Sequence, residues 1–185
     1  MARPSFTITY SAPRDRVTNF FRYFTAIPHL VIVAAWQYLT NALTFLQWFV
    51  VLFTGKRHEG MWKLQNAWLG YAARVYSYVG LMYDKWPNIG TEPNGEPTSY
   101  SFQYEAPANR VSNFFRIIWI IPAAIVGIAV GIAASVLVVI CWFVILFTGN
   151  QPRGMFDLLA RVHSYMVQLN AYGMLMTDDY PRFGA

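Results

Sequence analysis

Charge is what this chain has least of. Only 12% of its 185 residues are charged, against 56% hydrophobic, whereas an ordinary soluble domain carries about 25% charge. With a mean hydropathy of +0.31, it has too little polar surface to cover a fold in water. Cysteine is nearly absent too: Cys141 stands alone, which excludes an internal disulfide and a multi-thiolate metal or iron–sulfur site. His29, His58 and His163 form no i, i+4 pair and no His-Glu-x-x-His pattern, so neither a zinc site nor a haem pair is indicated. Gly55-Lys56 lacks the upstream glycine and the following Ser or Thr of a phosphate loop. The excess of 14 Lys and Arg over 9 Asp and Glu is too mild and scattered for a nucleic-acid surface. The carboxylates fall in expected loops or helix ends, and none in the middle of an apolar run, which argues against a proton or cation pump. Residues 1–10 lack the apolar core of a cleaved signal, so the later apolar segments are expected to direct insertion.

What is present is apolar and aromatic. Residues 117–147 run without one charge, where about 20 apolar residues suffice to cross a bilayer. Aromatics make up 18% of the chain, in keeping with anchoring at a membrane interface.

The chain is also one unit written twice. Residues 16–22, Arg-Val-Thr-Asn-Phe-Phe-Arg, return as 110–116, Arg-Val-Ser-Asn-Phe-Phe-Arg. Pro28, Trp48-Phe49-Val50, Leu52 to Gly55, Gly60-Met61, Asp84, Pro87 and Gly90 all recur 94 positions later, without a gap. The two copies are therefore expected to share a fold, as units 1–90 and 100–185 joined by a polar, Pro- and Gly-rich linker at 91–99.

Each unit reads the same way. A short alternating stretch, 6–10 or 100–104, predicts a strand. Next comes an interfacial helix with Arg16 and Arg22, or Arg110 and Arg116, beside its aromatics. Ile27-Pro28 predicts a bend, followed by an apolar helix over 28–53 or 122–147 that stops at Thr-Gly. A second, less apolar helix is expected over 61–83 or 155–177. The expected fold is thus an all-α integral membrane protein, with an interfacial helix and a transmembrane hairpin per unit and a short strand before each. Because equivalent arginines recur in both copies, an even number of crossings per unit reconciles them with the positive-inside rule, giving about four membrane helices. Lys and Arg on the terminal side (Arg3, Arg14, Arg16, Arg22, Lys85, Arg110, Arg116 and Arg182) outnumber Lys56, Arg57, Lys63, Arg153 and Arg161. Both termini are therefore expected in the cytoplasm.

Polar residues at helical spacing mark candidate sites. Lys63, Asn66, Gly70, Arg74 and Ser77 share one face of the second helix, and Asp157, Arg161, Ser164 and Gln168 share the matching face. Gln37, Thr40, Asn41, Thr44 and Gln47 form a third stripe. In lipid such stripes turn to other helices or to a water-filled cavity. Arg74, mid-helix and replaced by Gln168 in the other copy, is expected either to be buried against Gln37, Asn41, Gln47 or a lipid phosphate or, if its helix lies flat in the interface, to snorkel to water. Ala123, Gly127, Gly131 and Ser135, four apart, predict close helix packing.

The recurring Phe20-Phe21-Arg22, Ile27-Pro28-His29, Trp48 to Gly55, Gly60 and Asp84 to Pro87 resemble a prokaryotic membrane family common in actinobacteria, domain of unknown function family four-three-eight-nine. The second copy matches through Phe114-Phe115-Arg116, Trp142 to Gly149, Pro152-Arg153-Gly154 and Asp179-Tyr180-Pro181, and departs at Ala123, where the first has His29. The resemblance implies a multi-pass protein of the bacterial plasma membrane and supplies no catalytic residues or cofactor. The residues point to a non-enzymatic accessory or scaffold subunit bound by membrane lipids and another integral membrane protein. The alternative is a lipid- or quinone-binding component of a transport system, with Arg74 and the Gln37/Asn41/Gln47 stripe at its site.

Overall fold

The computed structural model describes residues 3–90 and 92–184. Its elements in order are β1 (Ser5–Ile8), α1 (Arg16–Thr54), α2 (Glu59–Val79), β2 (Thr98–Ser101), α3 (Arg110–Phe114), α4 (Arg116–Thr148) and α5 (Arg153–Gly173). The fold is mostly helical, with one strand ahead of each copy.

α1 and α3 begin, and α1 and α4 end, at signals legible in the sequence. The Asp15 carboxylate accepts from the Val17 and Thr18 N–H groups, and the Asn109 amide oxygen accepts from Ser112 N–H, satisfying donors that a helix start leaves open. Gly55 and Gly149 close α1 and α4 in the left-handed region, at φ 70° and 73°. Glycine suits that backbone, and a Cβ would stand 3.0 Å from Arg110 Nε at Gly55 and 3.1 Å from Arg16 Nε at Gly149. α2 and α5 end differently: Leu81 and Leu175 take φ 62°. Met82 N–H bonds back to Ser77 O, and Met176 N–H to Ala171 O, both at 3.0 Å, the Schellman closure that glycine usually occupies. Burial of both leucines offsets the strain of a left-handed side chain.

Several expectations change. The interfacial and apolar helices of the first copy are one continuous helix, with Pro28 inside it. Proline removes one backbone bond, and Ala26 and His29, buried on either side of it, hold the chain against α2. In the second copy the break lies at Phe115, seven residues before Pro122, which is itself inside α4. The two strands pair with each other, antiparallel, with Ser5 opposite Ser101 and Ile8 opposite Thr98.

The copies meet head to tail. Trp48 Nε1–H donates to Asn113 O at 3.1 Å while Asn113 Nδ2 donates to Trp48 O at 3.0 Å. The same exchange joins Trp142 and Asn19, at 3.0 and 3.1 Å. The start of α1 therefore lies at the end of α4, and the end of α1 at the start of α3–α4. α1 and α4 run antiparallel, related by a pseudo-two-fold axis on which the ribbon β1–β2 also lies. Beneath the ribbon, α2 and α5 pack together, with the neutral His163 Nε2–H donating to Ala73 O at 3.0 Å. α2 shows roughly opposite sides to its neighbours. Trp68, Tyr71 and Tyr78 meet α1, whereas Asn66 accepts from Tyr100 Oη at 2.6 Å and Gly70 lies under the Tyr100 ring. The order is thus α1 and α4, then α2 and α5, then the ribbon.

Two helices, α1 and α4, are long and apolar enough to cross a membrane. α2 and α5, expected as further membrane helices, do not meet that test among the described residues, because one side of each is polar and covered by ribbon, linker or the C-terminal segment.

Candidate functional site: an apolar face held by paired polar clamps

α1 buries one stripe, which includes Asn19, Arg22, Ala26, His29, Val33, Thr40, Gln47 and Val51, against the rest of the fold. Opposite that stripe stand Val17, Phe24, Val31, Tyr38, Phe45 and Phe53, seven or eight apart, with Phe24 71% and Tyr38 76% exposed. On α4 the counterpart is Ile118, Ile125, Ile132, Val139 and Phe147, all exposed. A contiguous apolar surface on this scale marks an interaction face.

Two polar clamps fix the ends of this face. At the first, Arg22 is fully buried and donates to Tyr78 O at 2.7 Å, to Tyr83 O at 2.5 Å and to Asp84. Asp84 also accepts the Asp15 N–H at 2.9 Å, and Arg14 reaches Met82 O and Gln151 Oε1. At the second, Asp178 receives Arg116 at 2.5 Å and Arg57 at 2.7 Å, with the Asn109 N–H at 3.0 Å. Burial alone would raise the Asp178 carboxyl, but the Asn109 N–H and the two guanidinia hold it below the ordinary carboxylate value. Arg57 also donates to Leu175 O, Glu105 O and Pro107 O, so it ties the first copy to the start and the end of the second. The sequence marked Asp84 and Asp178 only as recurring residues, without a role. Their signal was there: Arg22 and Asp84, like Arg116 and Asp178, are identical in both copies and 62 apart in each.

The residues that were singled out fall into three groups. Arg22 and Arg116 are clamp residues rather than interfacial ones, while Arg16 and Arg110 are exposed and lie over Gly149 and Gly55. Gly127 and Gly131 do mark close packing, against α5 of their own unit, where a Cβ would meet Leu169 at 2.7 Å and Met166 at 3.1 Å. Ser135 is exposed and its hydroxyl turns back to Gly131 O and Ile132 O, so it belongs to the surface.

The polar group around Arg74 is not assembled as expected. Arg74 is buried, as anticipated, but it donates to Gly90 O and lies 5.8 Å from the Tyr71 ring. Glu96, buried in the linker, faces it. Burial pushes the Glu96 carboxyl up, and the Asn88 and Asn94 N–H groups pull it further down, to a net value below the ordinary one. Gln168 does the equivalent work in the second copy, accepting the Arg182 N–H at 3.2 Å. Both positions tether a polar segment across a helix. Gln37 instead bonds Thr40 and Asn41 on its own helix, and the buried Gln47 accepts His58 N–H at 3.2 Å. An apolar crevice of about 400 Å³ opens beside Asn41 and Thr44, lined by Phe45, Trp48, Phe49, Ile117 and Leu175, with Arg116 at its edge.

No curated protein and no solved structure matches the chain. The family model described as Domain of unknown function (DUF4389) matches it twice, over residues 16–89 and 110–184. Those spans take in both long helices and both clamp carboxylates, and the chain belongs to this family.

Proposed function

We propose that the chain is a non-enzymatic, membrane-embedded scaffold, an accessory subunit of the bacterial plasma membrane that works with another membrane protein. The observation that carries this reading is the unpartnered apolar face: only 17% of the most apolar stretch of α1 and 11% of that of α4 is buried. Acyl chains cover such a face at no polar cost. The buried charges support a scaffold, because Arg22, Arg57, Arg116 and Asp178 join segments to one another. The ribbon supports a partner. Its two strands leave their outer edges open among the described residues, and an open edge accepts a further strand.

A second reading is favoured by the crevice between α1 and the start of α4, whose aromatic and aliphatic walls fit a lipid tail or a quinone. In that case Asn41 and Arg116, not Arg74, stand nearest the ligand.

Membrane fractionation followed by native purification tests the proposal. The protein is expected to stay in the pellet through high-salt and alkaline washes and to leave it only with detergent, together with a second membrane protein. Recovery in the soluble fraction without detergent overturns the membrane reading. Repeated recovery as a lone monomer overturns the accessory role.

A further inference from the structure

Resting on the membrane reading above, we propose that the protein enters the bilayer from one side only, with α1 and α4 lying along the membrane plane and the pseudo-two-fold axis along the membrane normal.

Three observations point the same way. Length comes first. α1 has 39 residues and α4 has 33, so at about 1.5 Å per residue they reach about 58 and about 50 Å. A hydrocarbon core of about 30 Å needs little more than half of that, yet the apolar seam of each helix continues to its last turn, at Phe53 and Phe147.

The second observation is where the polar parts lie. The ribbon and the linker stand over the middle of α2 and α5, with Tyr100 on Gly70 and Phe6 beside His163 at 4.8 Å. If α1 and α4 crossed the bilayer, these parts would fall at mid-depth. Exposed Asn94 and Gly95 and the open strand edges would then face hydrocarbon, which offers no partner to the backbone. Laid flat, the same layers sort themselves: α1 and α4 in the acyl region, α2 and α5 above them, ribbon and linker in water.

Charge supplies the third. Exposed basic residues stand at both ends of the helix pair. Arg16 and Arg153 flank one end, Lys56 and Arg110 the other. A crossing pair needs a difference between its ends to choose an orientation, and these four residues supply none. A pair lying flat needs cations at both ends, each beside anionic headgroups, and has them.

Sidedness tests this directly. Lys56→Cys and Asn150→Cys place thiols at equivalent sites on opposite ends, Asn94→Cys places one in the linker, and native Cys141 is fully buried. In sealed vesicles made from cells, a membrane-impermeant maleimide should label all three from one face and none from the other, a difference of tenfold or more. Labelling of positions 56 and 150 from opposite faces overturns the in-plane arrangement while leaving the membrane reading intact. Protein that washes off the vesicles with salt fails the membrane reading instead. Oriented circular dichroism of the unmodified protein in stacked bilayers checks the result without substitutions: helices in the plane are expected, and a signal from helices along the normal overturns the proposal.

Discussion

At the scale of single residues, the two clamps are alike in plan and unequal in depth. Asp178 is 8% exposed and lies within 4 Å of both Arg57 and Arg116, whereas Asp84 is 22% exposed and pairs with Arg22. Removing one partner of a buried pair leaves an uncompensated charge, a loss of roughly 3–5 kcal/mol. Two guanidinia are left at Asp178, so Asp178→Asn is expected to reach the upper end of that range and Asp84→Asn to fall clearly below it, read as the drop in unfolding midpoint of the detergent-solubilised protein. Because the folded-state pKa of Asp178 lies below its unfolded value, its contribution is complete above the unfolded value of 3.8 and disappears as pH falls through the lower, folded one. The substituted protein should lose that acid dependence. Equal losses at the two sites would show that burial does not set the strength of these clamps.

At the scale of elements, the repeat made much of the structure readable in advance. A constant offset gives two helices of the same kind per copy, and the Gly127–Gly131 spacing does place a helix close by. The packing there is tight enough for a definite expectation. Gly127→Leu drives α4 from α5 at the point where even a Cβ would meet Leu169 at 2.7 Å, and overpacking of this sort costs about 1–3 kcal/mol. Ser135→Ala on the exposed face should be close to neutral. Thermal unfolding of both variants checks the contrast, and a Gly127→Leu protein as stable as the parent would mean that the groove yields freely. Other features could not be read so early. Periodicity identified the faces of Arg74 and Gln37 but could not say what lies opposite each. Arg74 is answered by the linker and Gln37 by its own helix, contacts decided by the path of the chain. The break at Phe115 in place of Pro122 has the same origin: tertiary contacts around His29 and Ala123 carry the helix through proline, and a local rule does not see them.

At the scale of the whole molecule, repetition of sequence left one question open, namely the operation that relates the copies. Two copies side by side and two copies head to tail have the same sequence signature, and the structure has the second arrangement. Its trace is in the residues that serve the other copy. Asn19 and Trp142, like Asn113 and Trp48, exchange hydrogen bonds across the join, Arg14 N–H bonds Gly149 O at 2.8 Å, and Ala108 N–H bonds Gly55 O at 3.0 Å. Each copy also gives the ribbon one strand and depends on the other for the second. Neither half can therefore satisfy its own helix ends, and buried backbone groups without partners are costly. It follows that the halves are interdependent in folding even though the covalent link between them is incidental. Cutting the chain between residues 94 and 95, in the exposed part of the linker, and producing the two pieces together in one cell should yield a complex that co-purifies through a tag on either piece. Each piece produced alone should be degraded or remain aggregated. If residues 1–94 alone prove stable and monomeric in detergent, the exchanged contacts are dispensable, and the two-fold arrangement is a consequence of folding two independent units rather than the condition for it.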